Sequence, residues 1–104
     1  MTTTKAPVNI HITFRNTEGT EPIKSHVTEK VTHNLQKFLH HEAEVHVVLS
    51  VEKNRQIAEI SFNSDGSHFI AKEETGDLYS SIDSVVHAIT NQLRKHKEKA
   101  VSKR

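Results

Sequence analysis

The spacing of apolar residues changes several times along this chain, and those changes constrain its fold more than any other feature. Residues 8–14, VNIHITF, alternate apolar and polar side chains, which predicts a half-buried strand. Over residues 21–41 the apolar side chains recur every three or four positions, which predicts a helix with one apolar face. Alternation and helical spacing then return in the order strand, strand, strand, helix, over residues 45–52, 56–62, 68–74 and 77–100. The predicted order of elements is therefore β-α-β-β-β-α.

Residues that favour caps and turns lie between these segments. Thr20 is the predicted N-cap of the first helix, and Asp77, which follows Gly76, is the predicted N-cap of the second. The segment NSDGS predicts a tight hairpin, because glycine adopts a positive φ at little cost. A shorter turn is predicted at KNR, residues 53–55.

The element order also predicts how the strands pair. The first two strands flank a helix, so we expect them to be parallel with a right-handed crossover, and we expect the hairpin-linked strands to be antiparallel. The predicted fold class is α+β, a two-layer sandwich with a four-stranded mixed sheet and both helices on one face. We expect a single domain over residues 1–104 with an ordered core at about 8–100. Val48 and Ile70 are predicted to lie on the helix-free face.

The apolar stripe of the last helix stops before its helical pattern does. Its predicted buried residues are Tyr79, Ile82, Val85, Val86, Ile89 and Leu93. A 23-residue helix is roughly 34 Å long, whereas a seven-residue strand spans only about 23 Å. We therefore expect the end of this helix to project beyond the sheet by about two turns.

The charge of the chain is distributed unevenly. Residues 94–104 hold six Lys and Arg against one Glu, although the whole chain has a net charge of only +1. A basic end of this kind is typical of proteins with an anionic partner, and it also suits a solubilising helix terminus. Because the projecting turns are almost entirely cationic, we favour a functional contact with an anion.

The basic residues of the two helices form the candidate binding site. If the helices lie side by side, their cations form one surface that suits the phosphates of a nucleic acid. For the first helix, an ordinary solvated face is the alternative. The candidate RNA-binding residues are Lys24, Lys30, His33, Lys37, Arg94, Lys95, Lys97 and Lys99.

The aromatic residues restrict how RNA would be recognised. All five fit buried positions in the apolar patterns, which leaves none to stack on bases. We therefore expect the protein to recognise the charge and shape of a structured RNA backbone. Surface histidines, which include His26 and His33, predict an RNA affinity that rises as the pH falls.

Metal binding and catalysis are not favoured. The segment HHEAEVH, residues 40–46, crosses from a helix end to a strand, which separates its side chains, and the chain has no cysteine. Asp83 and His87 lie four residues apart on the last helix, a common surface arrangement without a nucleophile motif. We expect no cofactor, no metal, no small-molecule substrate and no enzymatic activity. Without a membrane span or signal peptide, the sequence predicts a cytoplasmic protein with no membrane partner.

Two segments resemble a known family. VHVVLSVEKNRQIAEI, residues 45–60, and DLYSSIDSVVHAITNQLRKHKEK, residues 77–99, are similar to the bacterial ribosome hibernation promoting factors, also called the sigma-54 modulation or ribosome-associated inhibitor family. In that family the second helix begins with D-M-Y-x-A-I-D and ends with Q-L-x-K-H-K, where this chain has DLYSSID and QLRKHK. The resemblance covers about residues 8–100.

The resemblance implies the same fold and a specific function. It implies binding to 16S rRNA of the small ribosomal subunit, in the channel that holds messenger and transfer RNA, and inhibition of translation in idle, stressed or stationary-phase cells. The carried-over contacts are Arg94, Lys95, Lys97 and Lys99, with Lys24 and Lys30 on the first helix. The first helix holds fewer Lys and Arg than is usual in the family, and LHHEAE and KEETGD also depart from its pattern.

The length of the chain resembles the short hibernation factors. That resemblance implies inactive paired 100S ribosomes, formed with the help of a separate small ribosome modulation factor. Two other functions remain open, a general module for structured RNA and a protein-interaction adaptor. The adaptor would use an apolar surface, for which Val48 and Ile70 are the candidates.

Overall fold

The element order of the structure is the predicted one. The computed structural model describes residues 7–39, 41–64 and 66–102, with side chains up to Lys97. Its elements are β1 (Val8–Arg15), α1 (Glu21–Leu35), β2 (Ala43–Glu52), β3 (Arg55–Ser64), β4 (Ser67–Thr75) and α2 (Leu78–Ser102). The strands form one sheet in the order β1-β2-β3-β4, in which β1 and β2 are parallel and the other pairs antiparallel. The predicted α+β fold class is therefore confirmed.

The core lies between the two helices and one face of the sheet. Alternate residues of each strand point toward the helices. Most of the apolar ones are buried in β2, β3 and β4, and those in the edge strand β1 are half-buried. In α1 the core positions are Val27, Val31 and Leu35. In α2 the buried apolar residues are Leu78, Ile82, Val85, Val86, Ile89 and Leu93. One-sided burial on both helices orients their opposite sides toward solvent.

The first helix is shorter than predicted. It ends at Leu35, whereas the apolar spacing predicted a helix up to residue 41. The N–H of Phe38 donates to the carbonyl of Leu35 at 3.0 Å, and that of Leu39 donates to Gln36 at 3.4 Å. These bonds span three residues and make a tighter turn than an α-helix. The turn still buries Leu39, so the apolar spacing continues after the helix has ended.

The start of α2 corrects one core assignment. Asp77 caps the helix as predicted, since its Oδ2 accepts a hydrogen bond from the Ser80 N–H at 2.9 Å. Leu78 is buried, and Tyr79, predicted to be buried, is 38% exposed. Spacings of three and four residues both fit a helical stripe, so the pattern admitted either residue, and the more apolar Leu78 takes the core position.

A buried serine joins α2 to the sheet. Ser81 is fully buried, and its hydroxyl donates to the carbonyl of Gln56 in β3 at 2.6 Å. The same oxygen accepts a hydrogen bond from the Thr75 N–H at the end of β4, at 3.0 Å. This side chain therefore fixes the start of α2 against two strands.

The other face of the sheet has no helix. Val48 lies opposite Glu59, and Ile70 lies opposite Ser61, which confirms that both predicted residues are on this face. Ile70 is 48% exposed. Its backbone carbonyl, on edge strand β4, accepts a hydrogen bond from the Gln92 side-chain amide at 2.7 Å. No helix in the part of the chain described is both long and apolar enough to cross a membrane.

Candidate nucleic-acid interface

The two helices lie side by side, and polar side chains join them. His26 Nε2 of α1 lies 2.8 Å from Asp83 Oδ1 of α2, within hydrogen-bond distance. Lys30 Nζ is 3.9 Å from the same oxygen, a longer ion pair. The sequence predicted that the basic residues of α1 and α2 would form one surface if the two helices were neighbours. In the structure the helices are neighbours.

A groove of about 250 Å³ runs between the helices, and we call it the inter-helix groove. Its lining residues are Lys30, Asn34, Lys37, Asp83, Val86, His87, Thr90 and Arg94. Val86 and Thr90 are buried and form the base of the groove. The Thr90 hydroxyl donates to the Val86 carbonyl at 2.7 Å, so the base holds no unpaired hydroxyl donor.

The charged groups of the inter-helix groove are mainly cationic. Lys30, Lys37 and Arg94 line it together with one carboxylate, that of Asp83. The guanidinium of Arg94 donates to Asn91 Oδ1 at 2.8 Å, which restrains a side chain that is otherwise exposed. Flexible ammonium groups and a planar guanidinium are the side-chain groups that bind phosphate best. The groove can therefore hold part of an RNA backbone.

Two predicted residues of the first helix lie outside this groove. Lys24 is in the first turn of α1, where its Nζ is 3.6 Å from Glu21 Oε2. His33 is exposed in the last turn. Neither side chain lines the inter-helix groove, so the structure brings only Lys30 and Lys37 of the α1 candidates together with α2.

The basic residues of α2 point in different directions. Arg94 faces α1, whereas Lys95 and His96 line a depression beside the start of β4. The His96 ring meets Phe69 edge-on, with ring centroids 5.3 Å apart. Lys97 is half-buried, and the side chain of Lys99 lies outside those described. Consecutive helical residues are about 100° apart, so the basic cluster surrounds α2.

The end of α2 continues past the last buried residue described. Leu93 is 3% exposed, and the helix extends to Ser102. The ring of His96 still contacts Phe69, and the helical backbone continues from there for about 9 Å to Ser102, the last residue described. The helix therefore continues beyond the last core contact described.

One aromatic side chain is exposed, contrary to the prediction from sequence. Tyr79 is 38% exposed, and its ring lies 5.0 Å from that of His26 at an interplanar angle of 72°. Phe14 and Phe38 are only half-buried. The prediction that all five aromatics are buried is therefore wrong, and with it the reason for excluding base stacking. The one available signal was the amphipathic character of tyrosine, which tolerates a partly exposed position.

A second polar cluster lies on the helix-free face. The rings of His11 and His46 stack with centroids 5.1 Å apart, and His11 Nε2 also contacts the Glu44 carboxylate. Hydrogen bonds from His11 and then Asn9 lower the pKa of Glu44. The segment HHEAEVH contributes Glu42, which accepts from Asn9 at 2.7 Å. Within residues 7–39, 41–64 and 66–97, no group of three or more His, Asp or Glu is arranged to hold a metal ion.

Sequence comparison relates the chain to one family over most of its length. The family described as "Sigma 54 modulation protein / S30EA ribosomal protein" matches residues 10–101. A ribosome hibernation promoting factor of Klebsiella oxytoca is 35% identical over 92 residues, which cover 88% of this chain and 96% of that protein. A protein of the same name from Pseudomonas putida is 30% identical over 95 residues, 91% of this chain and 92% of its own.

Solved structures show the same fold. The N-terminal domain of Thermus thermophilus Protein Y has a TM-score of 0.76 at 29% identity, covering 85% of this chain and 98% of that domain. A ribosomal subunit interface protein from Coxiella burnetii has a TM-score of 0.77 at 20% identity, covering 86% and 98% of the two chains. The arrangement of two helices on a four-stranded sheet is thus common to this chain and both structures.

Proposed function

The chain belongs to the sigma 54 modulation protein / S30EA ribosomal protein family, and from this we propose that it is a ribosome hibernation factor that binds the small ribosomal subunit. In this proposal the helices contact 16S rRNA in the channel for messenger and transfer RNA. Translation stops because the channel is occupied, with no chemistry on a substrate. The proposal locates the protein in the cytoplasm, where the ribosomes are.

The observation that carries the proposal is the convergence of Lys30, Lys37 and Arg94 on the inter-helix groove. Residues of two different helices supply these cations, so the fold must form before they come together. Two relatives that share most of the length of this chain are named ribosome hibernation promoting factors, and this supports a ribosomal ligand. The protein would therefore recognise a folded RNA surface through positioned cations.

The end of α2 enlarges the proposed contact. Lys95 faces a different direction from Arg94 and lines a different depression, and the helical backbone continues beyond both. We propose that these turns enter the RNA-lined channel with Lys95, Lys97 and Lys99, and that Lys24 and His33 contribute from the exposed side of α1. A projecting helix end can contact RNA on several sides without disturbing the core that holds its other end.

Co-sedimentation with isolated small subunits over a series of salt concentrations tests this function. If about five phosphates are neutralised, the logarithm of the affinity falls with the logarithm of salt at a slope of about −4. We expect saturation at one protein per subunit. Binding that does not saturate, or that hardly changes with salt, would contradict the proposal.

A matched pair of variants locates the binding site. The groove variant carries Lys37→Ala and Arg94→Ala, and the control carries Arg15→Ala and Lys72→Ala on exposed strand positions outside the groove. Each variant loses two positive charges. We expect the groove variant to bind more weakly and with a slope shallower by about two, while the control binds like the wild type. Equal losses in both would indicate only a general charge effect.

A third variant tests the projecting end. It replaces Lys95, Lys97 and Lys99 by Ala, and we expect a further loss of affinity for the small subunit.

The alternative function, a general module for structured RNA, requires free duplex RNA to compete for the protein as well as small subunits do. The adaptor alternative requires the affinity for the ribosome to be lost with Ile70→Asp and kept by the groove variant.

We extend the proposal to paired ribosomes. The chain would favour inactive 100S particles when a separate small ribosome modulation factor is present. Sucrose gradients of purified 70S ribosomes test this extension. We expect the protein alone to leave 70S particles and the two proteins together to produce 100S particles. A 100S peak with this protein alone would contradict the need for a second factor.

A further inference from the structure

One exposed aromatic side chain has no role in a purely phosphate-based contact. Ile70 and Tyr79 are the large apolar side chains most exposed among the residues described, and Tyr79 is beside the basic helix surface. Its position is enforced by its neighbours in sequence. Leu78 and Ile82 occupy the buried positions at this end of α2, so the tyrosine ring is directed to the surface between the helices.

The ring of Tyr79 is supported from the neighbouring helix. The His26 ring meets it nearly at a right angle, with centroids 5.0 Å apart. His26 is itself held by its 2.8 Å hydrogen bond to Asp83, and its side chain is only 25% exposed. The tyrosine is therefore restrained on one side by an oriented imidazole and remains 38% exposed elsewhere. A restrained, partly exposed ring loses little conformational entropy when it stacks on a ligand.

The exposed ring of Tyr79 lies next to the inter-helix groove. Tyr79 and Asp83 are four residues apart on α2, which places them on the same side of the helix one turn apart. Asp83 lines the groove, together with Lys30, whose ammonium lies 3.9 Å from its carboxylate. An aromatic ring beside a cationic groove is the combination that binds unpaired nucleotides, because the bases stack while the phosphates are neutralised.

We propose that Tyr79 stacks on an unpaired nucleobase of the RNA whose phosphates lie in the inter-helix groove. This inference rests on the proposed function and adds a base contact to a surface so far defined by charge. His26 and Asp83 are positioning residues, since they hold the ring of Tyr79 and do not contact the base themselves. The ligand is a single-stranded or bulged segment of folded RNA, because a base within a duplex does not expose its face.

Two substitutions at Tyr79 separate stacking from charge. Tyr79→Phe keeps the aromatic face, and we expect it to bind small subunits like the wild type. Tyr79→Ala removes the face, and we expect affinity to fall by roughly 5- to 150-fold, the range for the loss of one stacked base. The salt slope should stay near the wild-type value in both, because no phosphate contact is removed. Urea unfolding of both variants checks that the loss does not come from unfolding.

The intrinsic fluorescence of the protein gives a second, direct measurement. The chain has one tyrosine and no tryptophan, so its emission comes from Tyr79 alone. We expect protein-free 16S rRNA to quench the emission of Tyr79 more than it lowers the emission of free N-acetyltyrosinamide. The free compound measures how much light the RNA itself absorbs, and the emission of the protein is corrected by that amount. Unchanged corrected emission at saturating rRNA would overturn the inference.

The results distinguish this inference from the function on which it rests. If the wild type binds small subunits, the groove variant binds them weakly and Tyr79→Ala binds like the wild type, the proposed function stands and the stacking contact is rejected. If the wild type does not bind small subunits, the proposed function fails and the inference fails with it. If Tyr79→Phe loses as much affinity as Tyr79→Ala, the hydroxyl group is required and stacking is again rejected.

Discussion

His26 and Asp83 form a 2.8 Å hydrogen bond between the two helices, and this contact places a carboxylate inside an otherwise cationic groove. Asp83→Asn would keep a side chain that can hydrogen-bond to His26 and would remove the negative charge beside Lys30. We expect the affinity for small subunits to rise about two- to fivefold at low salt, and the gain to shrink as salt screens the charges. Co-sedimentation measures the change.

The matched control for this charge is Glu59→Gln on the helix-free face. It removes one negative charge away from the groove, so we expect it to alter the affinity little. If Asp83→Asn instead weakens binding, the carboxylate contributes more by holding His26 than it costs as a negative charge in the groove.

Ser81→Ala should destabilise the protein. The substitution removes the hydroxyl that bonds to Gln56 and Thr75, and it leaves a partly buried carbonyl and a partly buried N–H without that partner. We expect the free energy of unfolding to fall by about 1–3 kcal/mol, as measured by urea denaturation. Ser80→Ala is the control, because its side chain is exposed. A loss of similar size in both variants would show that the cost arises from the helix end in general.

The substitution Gly19→Ala tests a close approach between β1 and the loop that joins β1 to α1. A Cβ at Gly19 would overlap the ring of Phe14, which packs against the core, so the ring or the loop must move. We expect a loss of about 1–3 kcal/mol in the free energy of unfolding. At Gly76 an added Cβ meets no atom within 4 Å, and the change expected for Gly76→Ala is about 0.5 kcal/mol or less. Equal stability of the two variants would contradict the packing argument.

Glu44 gives the protein a pH-dependent contribution to stability. Because hydrogen bonds from His11 and Asn9 lower its pKa in the folded state, the contribution is present above the pKa of the unfolded chain. It is lost as the pH falls through the lower pKa of the folded state. In His11→Ala the pKa of Glu44 should rise toward its ordinary value, which carboxyl NMR titration measures. An unchanged pKa in that variant would show that His11 is not the main cause.

Local signals were enough to predict most of the fold. Thr20 and Asp77 accept hydrogen bonds as helix caps, and β3 and β4 are joined through Gly66, whose φ is 78°. The end of α1 was mispredicted because the turn after Leu35 still buries Leu39, and apolar spacing does not distinguish a helix from such a turn. The prediction placed Tyr79 in the core instead of Leu78 for a related reason, since both residues fit one helical stripe.

Less of the candidate site than of the fold could be predicted from the sequence. Lys30 and Lys37 are seven residues apart, two helical turns, so their common side was predictable. Arg94 and Lys95 are adjacent, and adjacent helical residues face different directions, so only Arg94 of this pair joins the cations of α1 in the inter-helix groove. The pairing of His26 with Asp83 depends on how the two helices are placed on the sheet. No local pattern in either helix contains that information.

The register of the sheet also sets the order in which its strands can assemble. Ser64 and Ser67 pair across a two-residue turn, whereas Val8 pairs with Ala43 only after the chain has passed through α1. Closing the longer loop costs more chain entropy, and that cost precedes the contacts that offset it. We therefore expect β2, β3 and β4 to form the folding nucleus with α2. The strand β1 then docks late, and it is the first to detach when the native state opens.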